Sequence, residues 1–355
     1  MIKKECFSRE WIYHFREQPQ YSRIDYVSFE KMVLALHLVE QLRIVNLNFV
    51  FKGGTSLSLL YNEPRRFSID VDIVTEETKE NIHKILPEII ERSRFKRFEY
   101  DERRSFVNEI PKAHYKFYFD SAIDGNENYV ILDVLFEKPD YPELTVTEIK
   151  NVFVEVEKES VMVNVPSINS IVGDKLTAFA PNTISMRFSA GKNLKIIKQL
   201  FDLGVLSDNI TNYEIVASSY KRIAQKELAY RKLDIKVEET LQDTINSSLI
   251  LAKREKNKGD DLEKYSALKS GITRFQSYLV SGSFNLDTAI EASAKTALLA
   301  AKILKEDYSP LPAMEDRRNF AIYRIENAQY NYLDRLIRIP NNALFYWHET
   351  IKSLS

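Results

Sequence analysis

The sequence FSIDVDIV, residues 67–74, alternates between polar and apolar side chains. In an extended strand, successive side chains point to opposite faces, so Ser68, Asp70 and Asp72 are predicted to share one face and the apolar residues the other. Two carboxylates at positions i and i+2 lie about 7 Å apart at Cα, close enough for their oxygens to share a divalent cation. A half-exposed surface strand is the alternative that this pattern leaves open.

Two adjacent glycines precede this strand. The chain has only nine glycines in 355 residues, yet Gly53 and Gly54 are neighbours, between a strand-like run at 47–51 and a helix-like run at 55–61. Such a turn directs backbone amides and the positive end of a helix toward an anion, and Thr55 can add a hydroxyl donor. We therefore predict a phosphate-binding turn, with an ordinary tight turn as the alternative.

A third acid, Asp133, lies within the apolar run VILDVLF at 130–136. Burying an unpaired carboxylate is costly, so this residue must be neutralised, paired with a cation or bound to a metal ion. A salt bridge to a Lys or Arg is one explanation. If Asp133 instead lies beside Asp70 and Asp72, the three acids are expected to hold two Mg²⁺ ions, which suits in-line displacement at a phosphate.

Hydrophobic periodicity divides the chain into two parts. A helix behind an N-cap at Ser28 is predicted at 29–43, with its apolar positions at helical spacing, and a second helix at 81–92. Further strands are predicted at 95–100, 113–119, 129–136 and 152–156. After Pro166 the pattern becomes helical, at 168–179, 194–203, 213–230, 235–253, 262–279 and 286–304. We predict an α/β (α+β) core with a mixed sheet in residues 1–205 and an all-helical domain in residues 206–355.

Composition narrows the class of protein. A 44% hydrophobic share, 28% charged residues and a net charge of −1 indicate an ordered globular chain without a global attraction to nucleic acid. One cysteine, Cys6, and five scattered histidines argue against a zinc site. No signal or membrane-spanning run is found, so a cytoplasmic protein without a membrane partner is expected. The mixed-sign stretch 253–261 is interpreted as a solvated loop between helices.

The Gly-Gly turn, helix, Asp-x-Asp strand and later acid together resemble the DNA polymerase β-like nucleotidyltransferase superfamily. More narrowly, FVFKGGTSLSLLY at 49–61 with RFSIDVD at 66–72 resembles the AbiEii/AbiGii toxin family, in which a Lys-Gly-Gly-Thr turn precedes an Arg-Phe-Ser-x-Asp-x-Asp strand. The resemblance extends over residues 25–205. It implies a nucleotidyltransferase fold and activity. From their position beside the Asp-x-Asp strand, Arg65 and Arg66 are candidates for contacting the triphosphate or an acceptor phosphate.

Two later motifs extend this resemblance. GDKLTAF at 173–179 is similar to the family's helical lysine motif, and KQLFDL at 198–203 to its basic-acidic motif. By this match Lys175 neutralises nucleotide phosphates, and Asp202 is a fourth active-site acid or orients a basic group. A surface lysine whose aliphatic stem packs on apolar neighbours is the alternative for Lys175.

The expected reaction is Mg²⁺-dependent transfer of a nucleoside monophosphate (NMP) from an NTP to an acceptor hydroxyl. The resemblance implies a toxin, with tRNA as acceptor and a separately encoded antitoxin as partner. A protein side chain as acceptor, or an inactive binding module on the same fold, are the alternatives. Ser68 is expected to face the nucleotide, with a small polar filler as the alternative, and is a hypothetical site of inactivating phosphorylation. Segments 316–324 and 330–338 mix Arg with aromatic residues, as an RNA-binding surface would, although core packing explains them equally well.

Overall fold

A computed structural model describes residues 1–61, 63–105, 110–314 and 320–355 of the chain. These residues form two compact units, one made of 1–167 with 277–283 and the other of 168–276 with 284–355. None of the helices within the described ranges is long and apolar enough to cross a membrane.

The first unit is built on a seven-stranded mixed sheet in the order β3-β4-β5-β2-β1-β7-β6. β2 is parallel to β5 and β1 is parallel to β7, whereas the other neighbours are antiparallel. The strands are β1 (Val50–Lys52), β2 (Asp70–Thr75), β3 (Arg97–Tyr100), β4 (Lys112–Asp120), β5 (Glu127–Phe136), β6 (Leu144–Glu148) and β7 (Met162–Pro166). The helices of this unit are α1 (Arg9–Arg16), α2 (Tyr26–Ile44), α3 (Gly53–Leu60), α4 (Lys79–Arg92) and α5 (Glu102–Ser105).

Helix α2 differs from its prediction in two ways. It begins earlier, because the Asp25 carboxylate accepts a hydrogen bond from the Ser28 backbone N–H at 2.8 Å and so caps the helix in place of Ser28. Residues 32–42 are buried on all sides, so α2 is a core helix and not an amphipathic one. Its buried acids have partners: Glu30 accepts from the Ser121 hydroxyl and Glu40 from the Ile2 N–H, each at 2.6 Å.

The prediction of a strand at 152–156 is wrong. That segment is a turn with isolated bridges, and Phe153 is buried in an aromatic cluster with Phe15 and Phe29, with ring centroids 5.2 and 5.1 Å away. Two strands were not predicted, the edge strand β6 and its neighbour β7. A short segment from far along the chain also joins this unit, since Phe67 N–H donates to the Tyr278 carbonyl at 2.8 Å.

The second unit is helical, which confirms the predicted helical C-terminal region. Its helices are α6 (Ile168–Thr177), α7 (Asn193–Leu206), α8 (Tyr213–Tyr230), α9 (Val237–Lys253), α10 (Asp260–Phe275), α11 (Leu286–Leu304) and α12 (Ala343–Leu354). Helix α6 packs on α8, and α7 packs on α10 and α11. Residues 168–205 therefore lie in the same compact unit as the later helices. The predicted domain boundary at residue 205 is a separate statement and stays a prediction.

The described residues include only part of the segment 316–324 but the whole of 330–338, the two segments that mix Arg with aromatic residues. Residues 315–319, and with them Arg317 and Arg318, lie outside the described residues. In the second segment Leu333 and Leu336 are buried, which supports the core-packing explanation for these positions. Arg335 turns inward and donates to the carbonyl of Ala252 at 3.1 Å.

Candidate active site

The acids of β2 and β5 are brought together by strand register. In the parallel pair of β2 and β5, Asp72 lies opposite Asp133 and Asp70 opposite Ile131. Residues that are directly opposite in adjacent strands share a face of the sheet, and so do residues two apart in one strand. Asp70, Asp72 and Asp133 therefore share one face. All three are only partly buried, whereas Val71 between the first two is fully buried on the other face.

The Gly53-Gly54 turn lies directly against this acidic face. Gly53 has φ +80°, in the left-handed region that favours glycine, and a Cβ atom there would lie 2.9 Å from the Asp72 carboxyl carbon. A Cβ at Gly54 would lie 2.6 Å from the Arg66 guanidinium and 2.7 Å from the Ser68 hydroxyl. Gly53 is thus favoured by both its backbone conformation and its close packing, whereas Gly54 lies close to the ends of two polar side chains. Five predicted site residues, Gly53, Gly54, Arg66, Ser68 and Asp72, lie together here.

Replacing Gly53 by Ala is expected to destabilise the first unit more than the same change at Gly125. Both glycines have positive φ, a conformation that costs an alanine about 1–2 kcal/mol, but nothing lies within 4 Å of a Cβ at Gly125. At Gly53 the added Cβ must displace the Asp72 carboxylate, and such overpacking costs about 1–3 kcal/mol more. Urea unfolding of the two variants measures the difference, and equal losses would contradict the close approach.

Thr55 and Arg66 both donate hydrogen bonds to backbone carbonyls near the Gly53-Gly54 turn. Thr55 is fully buried, and its hydroxyl donates to the Asp70 backbone carbonyl at 2.5 Å, which ties α3 to β2. This bond gives Thr55 a positioning part, and direct donation to a nucleotide stays a prediction. Arg66 is 8% exposed and donates through Nη1 to the Phe67 carbonyl at 3.1 Å. Ser68 precedes β2, which begins only at Asp70, so the predicted strand starts too early, and the Ser68 hydroxyl lies beside Gly54.

His114 is a neighbour of the acids that the sequence analysis did not identify. It lies opposite Asp133 in the antiparallel pair of β4 and β5, and its Nδ1 shares a hydrogen bond with Asp133 Oδ1. The His114 side chain is 11% exposed and that of Asp133 28%. Because the pairing depends on register between separate strands, no local motif could have shown it. Asp133 thus has a histidine as a hydrogen-bond partner, where the sequence suggested a salt bridge to Lys or Arg or a metal ion.

Lys31 of α2 is a second such neighbour. Burial lowers the pKa of the Lys31 ammonium, and the nearby Asp70 carboxylate acts in the opposite direction. Its Nζ also lies 5.2 Å from the centroid of the Tyr129 ring. A lysine of α2, a helix that the sequence predicted only as amphipathic, therefore contributes to the electrostatic field around Asp70.

The carboxylates of Asp70, Asp72 and Asp133 suit one mode of Mg²⁺ binding. Among the described residues, no three His, Cys, Asp or Glu side chains are arranged to hold a metal ion by themselves. The donors are nevertheless hard carboxylate oxygens on one face of the sheet, and Mg²⁺ commonly binds one or two carboxylates together with substrate phosphates. The residues fit Mg²⁺ held jointly with a nucleotide, and do not fit a metal enclosed by protein alone.

Lys175 and Asp202 form an ion pair inside the helical unit. Lys175 Nζ lies 2.9 Å from Asp202 Oδ2 and donates to Gln199 Oε1 at 2.9 Å. The two charged side chains are 8% and 2% exposed. The alternative of an exposed surface lysine is therefore wrong. A carboxylate that holds a lysine in this way fits the orienting part of the prediction for Asp202.

Comparisons with known proteins give the family. Among solved structures, JHP933 from Helicobacter pylori is 16% identical, with a TM-score of 0.46 over 80% of this chain and 94% of its own. An antigenic nucleotidyltransferase-like protein from Paracoccidioides brasiliensis is 18% identical, with a TM-score of 0.32 over 58% and 94%. No curated protein sequence matches the chain. A family model described as nucleotidyl transferase AbiEii toxin, type IV TA system, matches residues 38–292. More than two thirds of the chain, including the Gly-Gly turn and all three acids, is thus matched, and the protein is a nucleotidyltransferase that belongs to the AbiEii toxin family.

Proposed function

We propose that this nucleotidyltransferase moves an NMP group from an NTP to an acceptor hydroxyl with the help of Mg²⁺, that the acceptor is tRNA, and that the protein acts as a toxin. The observation that carries the proposal is the register that sets Asp72 beside Asp133, under the Gly53-Gly54 turn. A phosphate-binding turn above clustered carboxylates is the arrangement that phosphoryl chemistry requires, because charge must be neutralised and the reacting groups aligned.

Each residue has a part in this proposal. The first N–H groups of α3, at and after Gly53, have no partner within the helix and can donate to the triphosphate, next to the Arg66 guanidinium. Asp70, Asp72 and Asp133 would hold Mg²⁺, which when bound neutralises charge on the phosphates and favours ionisation of the attacking hydroxyl. His114 keeps Asp133 in one orientation. Lys175, positioned by Asp202, would neutralise further phosphate charge.

The toxin role and an antitoxin partner are supported by the family, whose description names a type IV toxin–antitoxin system. The identity of the acceptor is supported only by the family resemblance and by the chemistry of the reaction. A protein hydroxyl is the competing acceptor, because NMP transfer to Tyr, Ser or Thr uses the same site.

One labelling experiment separates the acceptors. Purified protein is incubated with cell extract and each of four α-³²P-labelled NTPs, with Mg²⁺ or with EDTA, and the products are treated with RNase or with protease. We expect Mg²⁺-dependent label that RNase removes and protease does not. Sequencing of tRNA 3′ ends after expression of wild type and of Asp70→Ala locates the addition. Label removed only by protease would assign a protein acceptor, and no label with unchanged toxicity of Asp70→Ala would indicate an inactive binding module.

Ser68 gives a further prediction about control of this site. Its hydroxyl lies where the Gly54 backbone and the Arg66 guanidinium meet, so a phosphate or carboxylate there would occupy Arg66 and repel the triphosphate. We expect Ser68→Asp to raise the KM for NTP by about tenfold or more, whereas the neutral Ser68→Asn stays closer to wild type. Steady-state kinetics measure this, and a KM for NTP and a turnover of Ser68→Asp that both equal those of wild type would remove the hypothesis.

A further inference from the structure

A basic cavity lies in the helical unit, in the part of the sequence that was interpreted as a solvated loop. Its volume is about 570 Å³. Its wall carries charged groups, an aromatic ring and an amide, which belong to Lys253, Lys256, Lys258, Arg335, Tyr332 and Asn257. The loop after α9 and the segment 330–338 are far apart in sequence, so the cavity could not be recognised from either alone.

The acids near this cavity are paired with other residues. Asp261 lines the cavity, but its carboxylate lies 3.5 Å from Lys264. Glu255 accepts from the Tyr265 hydroxyl at 2.9 Å and lies 3.7 Å from Lys269. Within the described ranges, no carboxylate therefore lies within 4.0 Å of the ammonium groups of Lys253, Lys256 and Lys258. The cavity has an excess of positive charge, although the net charge of the whole chain is −1.

Two residues that line the cavity also carry buried polar atoms without partners. Asn257 is only 5% exposed, and its Nδ2 donates to the Ile250 and Arg254 carbonyls at 2.7 Å each. Among the described residues, its Oδ1 has no hydrogen-bond partner, and neither has Nε of Arg335. Burial also lowers the pKa of the Arg335 guanidinium, so an anion nearby would stabilise its charge. Buried polar groups without partners are rare in folded proteins, and a bound ligand is one way in which they are satisfied.

An aromatic ring completes the cavity. Tyr332 lies with its ring centroid 5.7 Å from Lys253 Nζ and 5.9 Å from the Arg335 guanidinium carbon. A cationic groove with an aromatic ring is the combination that binds single-stranded nucleic acid, because cations contact phosphates and rings stack on bases. The Asn257 carbonyl oxygen additionally needs a donor, and a ribose 2′-hydroxyl or a base N–H supplies one. Carboxylates of an acidic peptide would contact the lysines but would not stack on the Tyr332 ring.

We infer that this cavity binds a segment of the acceptor RNA strand, with a phosphodiester among its lysines and a nucleoside against Tyr332 and Asn257. The inference rests on the proposed function for the identity of the acceptor, and its evidence lies wholly within the helical unit. It assigns part of the affinity for RNA to residues that take no part in the chemistry.

RNA binding by the purified full chain tests the inference. The probe is a fluorescein-labelled single-stranded RNA oligonucleotide, followed by anisotropy at several salt concentrations around 0.1 M. We expect the Kd of Lys256→Glu/Lys258→Glu to rise at least about tenfold, and the salt dependence of log K to weaken by about 0.7 for each RNA phosphate that the variant no longer neutralises. The matched control, Lys305→Glu/Lys352→Glu, reverses two exposed lysines elsewhere in the unit and is expected to bind within about twofold of wild type.

A second pair of variants separates stacking from charge. Tyr332→Leu is expected to weaken RNA binding by about tenfold, whereas Tyr332→Phe keeps the ring and stays near wild type. Equal affinities of wild type, Lys256→Glu/Lys258→Glu and Tyr332→Leu would overturn the inference, as would an equal loss in the Lys305→Glu/Lys352→Glu control. ATP alone is not expected to displace the RNA if the inference is right. Displacement of the RNA from the cavity by ATP, at ATP concentrations near the Kd of ATP, would assign the cavity to a free nucleotide and would also overturn the inference.

Failure of this inference can be distinguished from failure of the proposed function, because NMP transfer is measured separately from RNA binding on the same proteins. Wild type that transfers NMP but does not bind RNA overturns this inference alone. Wild type that binds RNA through Lys256 and Lys258 but transfers no NMP overturns the proposed function and supports the cavity.

Discussion

Replacing Asp72 by Asn is expected to lower the rate of NMP transfer by about a thousandfold or more, equivalent to about 4 kcal/mol of transition-state stabilisation. Asn keeps the shape of the side chain but removes the charge that a divalent cation needs. The position is decisive because Asp72 lies opposite Asp133 and is also the acid nearest to the Gly53 backbone. Transfer of label from α-³²P-NTP measures the rate, and raising the Mg²⁺ concentration should recover only part of it.

Asp120→Asn is the matched control for this change. Asp120 is an exposed acid at the end of β4 and pairs with Lys96 at 2.9 Å, so the same chemical substitution is made on the same sheet away from the turn. We expect its rate to stay within about twofold of wild type, because exposed ion pairs contribute little. Both variants should unfold within about 1 kcal/mol of wild type. An Asp72→Asn protein that is folded and retains a tenth of wild-type activity would contradict the assignment.

Breaking the ion pair of Lys175 and Asp202 is expected to cost about 3–5 kcal/mol in the free energy of unfolding. Both side chains are almost fully buried, and removal of one partner leaves a charge without its counter-ion. Asp202→Leu alone should therefore be strongly destabilised. The double variant Lys175→Met/Asp202→Leu removes both charges at similar volume and should recover to within about 1 kcal/mol of wild type. Urea unfolding of the single and double variants measures this coupling.

The double variant also distinguishes a structural pair from a functional one. If Lys175 neutralises nucleotide phosphates, the variant is expected to be folded but to transfer NMP at least about a hundredfold more slowly. If the pair only stabilises the helices, folding and transfer recover together. A double variant with wild-type turnover would remove Lys175 and Asp202 from the active site.

The long helices were predicted best, and the reason is local. Helices α8 and α11 have the predicted bounds, Tyr213–Tyr230 and Leu286–Leu304. Each is preceded by an asparagine, Asn212 and Asn285, whose side chain accepts hydrogen bonds from the first turn. Cap and periodicity are both properties of a few consecutive residues, so they can be recognised without knowledge of the rest of the chain.

Strands were harder to predict because alternation alone does not define them. Residues 152–156 alternate because Phe153 packs into an aromatic cluster, not because the segment pairs with a neighbour. In the other direction, β6 was missed because it is an edge strand whose Leu144 and Val146 are 44% and 60% exposed, so no buried face marks it. Pairing partners are contributed by distant parts of the chain, and sequence patterns do not record them.

Because sequence patterns do not record contacts between distant parts of the chain, only part of the candidate site could be recognised from the sequence. Gly53, Gly54, Asp70 and Asp72 could be recognised because their spacing belongs to one turn and one strand, and their proximity is seen in the structure. The contact between His114 and Asp133 depends on how β4 pairs with β5, and the position of Lys31 near Asp70 depends on how α2 packs on the sheet. Those residues have no motif of their own.

The short segment Ser277–Ser283 determines when this site can be completed during protein synthesis. Through its pairing with Arg65–Phe67, it holds the chain that leads into β2, next to the residues that begin the site. Ribosomes add about 5–20 residues per second, so about 10–40 s separate the emergence of Asp70 from that of Tyr278. Asp70 and Asp72 are thus made long before the backbone that pairs with Arg65–Phe67, so a nascent chain carries an incomplete candidate site for much of its synthesis.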